Sequence, residues 1–501
     1  MKKISFLVIA AISMLMVACS SNKPVESTTQ FRFHDGVFRI AHVADVHYGC
    51  TETEKLAMFK DMIMKTAENE KPDIFVLTGD LVTGGDDARQ GWRNMIEVFD
   101  GTGLPWAVVL GNHDAEANED VTADTIFDIL KSAKNIVNVE GAAKVYGHGN
   151  KALPVLHADN DSVAAVVYCI DSNDYPKEGD KWYGLSYYDV IHEDQVQWYI
   201  DESNKFKAMN GGVPVPSVAY YHICLPEFKD VALDPNHHGM FGEACCPADV
   251  NTGFFDKIRY QGDMIGMFVG HDHTDDYVGM YKGIALGYGR QSGVEDENDT
   301  TAPMGVRMVE LKEGKREFDT WVYTVKTGEL DKWYYPSGLS STYEKDLMPA
   351  QNVEVGENGV KYAYYVNSTE KVLTSVNDIC KPANKVEEGI TEKIDVSKAK
   401  QEDWYGFDFD TYVNIPESGA YKMVLTSDDG SVLYLDGKLI IDNDGSHGEL
   451  AVPRFIGLEK GLHHLQVKYL ENYSGNQVSV KIMGKSMPEM EIPAEWYFLK
   501  K

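Results

Sequence analysis

The sequence predicts an α/β domain followed by a smaller all-β sandwich, and three observations predict it. Between Phe38 and Leu110, short apolar runs alternate with amphipathic stretches in the order strand, helix, strand, helix, strand. Residues rich in His and Asp sit just past the ends of those apolar runs, the edge where open α/β sheets bind ligands. From Val360 the pattern changes to Tyr-, Val- and Leu-rich alternation broken by Gly, Asp and Asn turns, which fits short antiparallel strands.

The chain opens with Lys2 and Lys3 and an apolar stretch from Ile4 to Val17, closing on Leu15-Met16-Val17-Ala18-Cys19 and Ser20-Ser21. A membrane span needs about 20 apolar residues; this stretch is shorter and has the charged start and small-residue end of an export signal. Its end resembles the bacterial lipobox. The resemblance implies a signal peptide over residues 1–18 and diacylation of Cys19. It also implies an exported protein, tethered to the periplasmic face or the cell surface by lipid alone. The alternative is a plain secretory signal. Residues 19–36 then form a polar tether.

Phe38 to Ala44 is the first buried strand, and Glu54 to Asn69 a helix with Leu56, Phe59 and Ile63 on one face. Asp73 to Leu77 is a strand, Ala88 to Phe99 a helix, and Trp106 to Leu110 a strand. Such a series requires parallel pairing and right-handed crossovers. Further strands fall at Val163–Ile170, Ser217–His222, Met264–Gly270, Ile284–Tyr288 and Val306–Leu311, with a helix around Trp198. The first domain spans 37–325. Residues 326–354, rich in turn formers such as Pro336-Ser337-Gly338, read as a linker, and 355–498 as the second domain. Its strands include Tyr421–Thr426, Val432–Leu435, Lys438–Ile441, His463–Tyr469 and Gln477–Ile482.

Composition narrows the partners. In 501 residues, 78 acidic side chains face 47 basic ones, for a net charge of -31. That excess repels nucleic acid and anionic membrane surfaces, and no basic stripe offsets it. It does not describe a pocket, because bound cations reverse the local sign. Beyond Cys19 the cysteines are Cys50, Cys169, Cys224, Cys245, Cys246 and Cys380. With no CxxC pair they make neither a zinc knuckle nor a disulfide framework, and they read as structural.

The chemistry concentrates in five short blocks: Asp45-Val46-His47, Gly79-Asp80, Gly111-Asn112-His113-Asp114, His222, and Gly270-His271-Asp272-His273. Each alone is commonplace. Together they place many N and O donors at strand ends, where they can converge. Asp45 and His47 stand two apart, as do His271 and His273, so in an extended chain each pair points to one side. A pair of divalent ions about 3.5–4 Å apart needs a bridging carboxylate, and Asp80 is placed to be that bridge.

The order DxH, GD, GNHD, H, GHDH resembles the calcineurin-like metallophosphoesterase superfamily. Tyr221-His222-Ile223-Cys224-Leu225-Pro226-Glu227 and Gly287-Tyr288-Gly289-Arg290 look closest to its purple-acid-phosphatase-related branch. The resemblance implies a β-sandwich flanked by helices and a two-metal hydrolase of phosphate esters, with a metal-activated hydroxide as nucleophile. It implies that Asp45, His47, Asp80 and His273 hold one metal, and Asp80, Asn112, His222 and His271 the other. His113 would contact the phosphate and protonate the leaving oxygen. Asp114 would be a supporting partner or a turn residue, and Arg290 either a phosphate contact or a salt-bridging arginine. Purple members carry a tyrosine ligand three residues after the bridging aspartate; here Thr83 stands there, so Mn, Zn or Fe(II) all suit these ligands. The acidic, then helical stretch Ala115–Ser132 would form part of the substrate wall.

In the second domain, Ser427-Asp428-Asp429-Gly430-Ser431, Leu435-Asp436-Gly437-Lys438, Asp442-Asn443-Asp444-Gly445 and Lys460-Gly461-Leu462-His463-His464 resemble a PA14 domain. In sugar-binding members the paired aspartates hold Ca²⁺, which grips sugar hydroxyls, so Asp428 and Asp429 match a calcium pair; a structural spacer is the alternative. The expected function is a phosphomonoesterase acting on a phosphorylated small molecule or glycan. A phosphodiesterase and a non-catalytic glycan-binding surface lipoprotein are its rivals.

Overall fold

The computed structural model describes residues 30–84, 87–116, 121–177, 187–293 and 303–501. The signal stretch, Cys19 and the first part of the tether lie outside the described residues.

The first region contains β1 (Phe31–Arg32), β2 (Val37–Val43), α1 (Thr53–Asn69), β3 (Ile74–Thr78), α2 (Ala88–Asp100), β4 (Trp106–Val109) and α3 (Ala123–Leu130). It continues through β5 (Lys151–Leu156), β6 (Val163–Cys169), α4 (Glu193–Met209), β7 (Ser217–Tyr220), α5 (Phe228–Leu233), α6 (Phe254–Gln261) and β8 (Met264–Val269). It closes with β9 (Val278–Tyr281), β10 (Ile284–Tyr288), β11 (Val306–Lys312), β12 (Phe318–Thr324), β13 (Gly328–Glu329), β14 (Trp333–Tyr335) and β15 (Leu339–Ser340).

These strands make two sheets, ordered β1-β5-β6-β7-β8-β10-β9 and β15-β14-β12-β11-β2-β3-β4. The expected parallel run β2-β3-β4 is present, with Ile40 opposite Ile74 and Phe75 opposite Trp106. A second parallel run, β6-β7-β8-β10, forms the centre of the other sheet. Strand β3, Ile-Phe-Val-Leu-Thr, is buried on both faces, as a central parallel strand must be. Its alternation explains the layers. Ile74 and Val76 face the core between the sheets, with Phe38, Val109, Val218 and Phe268. Phe75 and Leu77 face a second core under α1, α2 and α3, with Phe59, Trp92 and Phe127. A third core joins β6–β8 to α4, α5 and α6. The result is helices, sheet, sheet, helices.

Two expected boundaries are corrected. Residues 31–33 are not tether: β1 pairs with β5, and Phe31 and Phe33 are buried against Phe38 at ring-centroid distances of 5.8 and 6.1 Å. Residues 326–354 are not a free linker either. β14 pairs with β12 and buries Trp333 and Tyr335 at the sheet edge, whereas Tyr343 stacks on Phe455 and Met348 N–H bonds Gly457 O in the second domain.

The second region is the expected all-β sandwich. One sheet is built on Tyr405–Ile415 and Gly461–Glu471, paired from Tyr405 with Glu471 to Ile415 with Gly461. The other is built on Gly419–Asp428 between Leu450–Leu458 and Gln477–Gly484. Phe407, Leu425, Leu433, Val467 and Ile482 fill the space between.

Candidate metal centre

The loops after β2, β3, β4, β7 and β8 meet at one sheet end. Asp45 N–H donates to Gly79 O and His47 N–H to Asp80 O, tying the first two loops together. Gly79 has φ +83°, and a Cβ there would come within 2.2 Å of Gly111 N; a Cβ on Gly111 would come within 2.2 Å of Asp80 Oδ1. Only glycine permits that approach, which is why both aspartate and asparagine blocks begin with it.

Asp45, His47, Asp80 and His273 offer ligand atoms that all lie within 4.8 Å of one another, and so do Asp80, His222 and His271. Asp80 belongs to both groups. Around His222 Nε2 stand Asn112 Oδ1 at 3.1 Å, His271 Nδ1 at 3.2 Å and Asp80 Oδ2 at 3.3 Å. His222 Nδ1 is 2.6 Å from Thr78 O; a carbonyl only accepts, so Nδ1 carries the proton and donates it there. The lone pair of Nε2 then faces the cluster.

This donor set fits a pair of divalent cations. Asp80 Oδ2 and His47 Nε2 are buried and without a hydrogen-bond partner among the described residues, a costly state for such atoms unless a cation takes their lone pairs. Asp80 Oδ1 accepts His113 N–H at 2.9 Å, and Asp45 Oδ1 accepts His271 N–H at 2.9 Å, which aims the other oxygens inward.

Charge follows burial and neighbours. Burial pushes Asp45 up to about 6 against the pull of His222 and His273. Asp80 resists the same burial, because His222, His47 and His113 hold it below the usual carboxylate range. Burial pushes His47 down to about 4 and His271 down to about 3, so both are neutral ligands near pH 7. His222 is raised to about 10, Asp80 outweighing burial; a cation between them would displace that proton.

The backbone reaches this arrangement differently from the extended geometry expected of DxH and GHDH. Asp45, His47, Asp80 and His271 have φ of 54, 49, 52 and 83°, left-handed values that cost energy outside glycine. Asp45 and His47 still share one group. His271 and His273 do not; they belong to different groups, which share Asp80.

His113 stands at the mouth, its side chain 41% exposed, with Nδ1 2.5 Å from Glu116 Oε2. Asp114 carries no ligand role. It is fully buried and accepts N–H groups from Asp80 (2.9 Å), Leu81 (2.8 Å), Val82 (3.1 Å) and Gly111 (2.8 Å). Arg290 takes the salt-bridging alternative: it is buried, with Nη2 paired to Asp276 Oδ2, while its Nε and Nη1 have no hydrogen-bond partner among the described residues.

Sequence reasoning missed Glu116 and an aromatic wall. Tyr175 OH accepts Asn112 Nδ2–H at 3.2 Å. Tyr188 packs edge-on against His271 at 4.7 Å and lies 6.0 Å from the Tyr175 ring. Glu116 could have been suspected from its place three residues after His113; the tyrosines left no signal. Of the wall expected at Ala115–Ser132, α3 is present, and residues 117–120 lie outside the described residues.

In the second domain Asp428 and Asp429 come together with Glu471, ligand atoms within 4.8 Å. Glu471 was missed because it is 42 residues past Asp429 in sequence, on a strand of the other sheet of the sandwich. Burial and the neighbouring aspartates push it up to about 8, with Tyr469 opposing, and its Oε1 has no partner among the described residues.

Comparison with known proteins agrees with this architecture. Residues 38–275 match the family described as calcineurin-like phosphoesterase, and residues 356–495 the PA14 domain. "Probable inactive purple acid phosphatase 14" of Arabidopsis thaliana is 28% identical, covering 64% of this chain and 88% of that protein. "Phosphatase DCR2" of Saccharomyces cerevisiae is 26% identical, covering 48% of this chain and 45% of that one. A dimetal phosphatase structure from Danio rerio is 13% identical, with a TM-score of 0.42 over 60% of this chain and 99% of its own. The PA14 sugar-binding domain of an RTX adhesin is 13% identical, with a TM-score of 0.25 over 29% of this chain and 100% of its own. Residues 38–275 are therefore a calcineurin-like phosphoesterase domain, and residues 356–495 are a PA14 domain.

Proposed function

We propose that the protein is a two-metal phosphomonoesterase of the bacterial envelope, anchored through Cys19, whose PA14 domain binds glycan through calcium at Asp428, Asp429 and Glu471. One observation carries the enzymatic part: Asp80 is shared between two convergent donor groups, Asp45/His47/His273 and His222/His271, with Asn112 beside the second. Bound divalent cations, Mn, Zn or Fe(II), supply charge for the phosphoryl oxygens and lower the pKa of water.

The chain's own residues do the rest. Asp80 and Asp45 turn one oxygen each inward because their other oxygens are tied to backbone N–H groups. His222 keeps its lone pair on the cluster by giving its proton to Thr78 O. Glu116 holds His113 by Nδ1, leaving Nε2 to donate a proton to the leaving oxygen, the general-acid role. Asn112 is held by Tyr175, and the Tyr175–Tyr188 wall favours a leaving group with a flat or apolar face. The name of the Arabidopsis relative calls that protein inactive; the complete donor set supports activity in this one.

The test is elemental analysis of the purified protein together with turnover of an aryl phosphate and a bis-aryl phosphate. The monoester is expected to be the better substrate, and Asp80→Asn to lower turnover to background. Unchanged turnover in that variant defeats the enzymatic reading; preference for the diester makes the protein a phosphodiesterase instead.

A further inference from the structure

Behind the loop that carries His271 and His273, a second cluster closes around an orphaned carboxylate. We propose that Cys245, Asp272 and Asp275 form a separate site for a thiophilic divalent cation, zinc in the first place, which clamps residues 240–246 to the loop after β8. This site does not depend on the phosphoesterase reading.

The ligand atoms of the three residues lie within 4.8 Å of one another, and the residues are 6, 5 and 1% exposed. Asp275 Oδ1 accepts Gly242 N–H at 2.8 Å and Glu243 N–H at 3.2 Å. Its Oδ2 is buried with no partner among the described residues. Asp272 Oδ2 accepts the Tyr288 hydroxyl at 2.6 Å and Cys246 N–H at 3.1 Å. Two buried carboxylates side by side, one with a free oxygen, are stable when a cation lies between them.

The sulfur selects which cation. Tyr277 OH donates to Phe228 O at 3.0 Å, so at the 3.1 Å contact with Cys245 Sγ the thiol is the donor. Binding exchanges that thiol proton, released to water, for the cation. A thiolate with carboxylates suits zinc, whereas calcium and magnesium take oxygen ligands only. Cys224 Sγ, 4.0 Å from Asp272 Oδ2, lies beside the site and is not one of the three converging ligands. Thr274 N–H already donates to Glu243 Oε1 at 2.7 Å, so the two segments touch where the clamp would act.

The experiment loads the full chain, thiols reduced, with cobalt(II). Three equivalents are expected, with a near-ultraviolet thiolate-to-cobalt charge-transfer band that the N/O donors of the centre around Asp80 cannot give. Cys245→Ser should abolish the band and leave two equivalents. Asp80→Asn should keep the band while losing metal from the other centre. Two equivalents and no band in the unaltered protein would overturn the proposal whether or not the variants fold, and so would a band that survives in Cys245→Ser.

Discussion

Asp114 accepts four backbone N–H groups on two oxygens, and those groups belong to the loops that present Asp80 and Asn112. Its substitution by asparagine therefore isolates a supporting role from a ligand role. In Asp114→Asn one face of the side chain becomes an NH₂ group aimed at two N–H donors, so two buried hydrogen bonds are lost. Each unsatisfied buried group costs about 1–3 kcal/mol. Chemical denaturation should show a loss on the order of 3 kcal/mol, and elemental analysis a loss of metal although every ligand remains; full metal content in the variant would contradict it. This residue also marks how far the sequence speaks. The ligands were legible because type, order and strand-end position agreed across five blocks. Whether Asp114 supported a loop or merely turned it depended on which N–H groups folded around it. Arg290 stayed open between two roles in the sequence for the same reason: an arginine two positions past a strand reaches whatever anion lies near, and here one nitrogen reaches Asp276.

At the scale of elements, two of the ligand loops hang from β2 and β3, and these strands meet through a buried polar pair. His42 is fully buried in β2, with Nε2 2.8 Å from Thr78 Oγ1 in β3. Burial, with Arg307 nearby, pushes it down to about 3, against about 6.5 in an unfolded chain. The folded pKa is the lower one, so between those values the unfolded state takes a proton that the folded state refuses. Stability is full above about pH 6.5 and falls as pH drops toward 3, by about 1.4 kcal/mol for every tenfold rise in proton concentration. Denaturation at a series of pH values should show His42→Gln losing about one proton of this slope between pH 6 and 4. An unaltered slope would assign acid sensitivity elsewhere. The central strands β2, β3, β4, β7 and β8 were legible because burial on both faces makes continuous apolar runs. β5 was not, since Pro154 interrupts it and three of its residues are partly open. β13 to β15 hid among turn formers; Trp333 and Tyr335, buried against Phe318, and the buried Leu339 draw them onto the sheet.

Among the described residues the hydrophobic cores of the two domains do not merge: three belong to the phosphoesterase domain and two to the PA14 sandwich, a main one and a smaller one around Val376, Ile379 and Leu470. Between them the chain changes allegiance near Ser340, with β15 on the first domain's sheet and Tyr343 and Met348 on the second sandwich. Tyr334 OH and Lys485 Nζ, 3.3 Å apart, cross the boundary. Separate cores joined at a junction unfold as separate units, and each unit has its own group of candidate metal-ligating residues. A ligand stabilises only the unit that binds it, by about 2.7 kcal/mol at a hundred times its Kd. Calorimetry of the full chain should therefore resolve two transitions. After chelation, manganese or zinc should restore one and calcium should raise the other. Asp429 is a poor probe, since its oxygens also hold Ser446, His447 and Asn472. Asp428 is half-buried and free of those duties, so Asp428→Asn should abolish the calcium shift while leaving the transition-metal shift intact. If calcium moved both transitions, or moved either one in Asp428→Asn, the second domain would not carry its own calcium site, and glycan binding through calcium would fall with it.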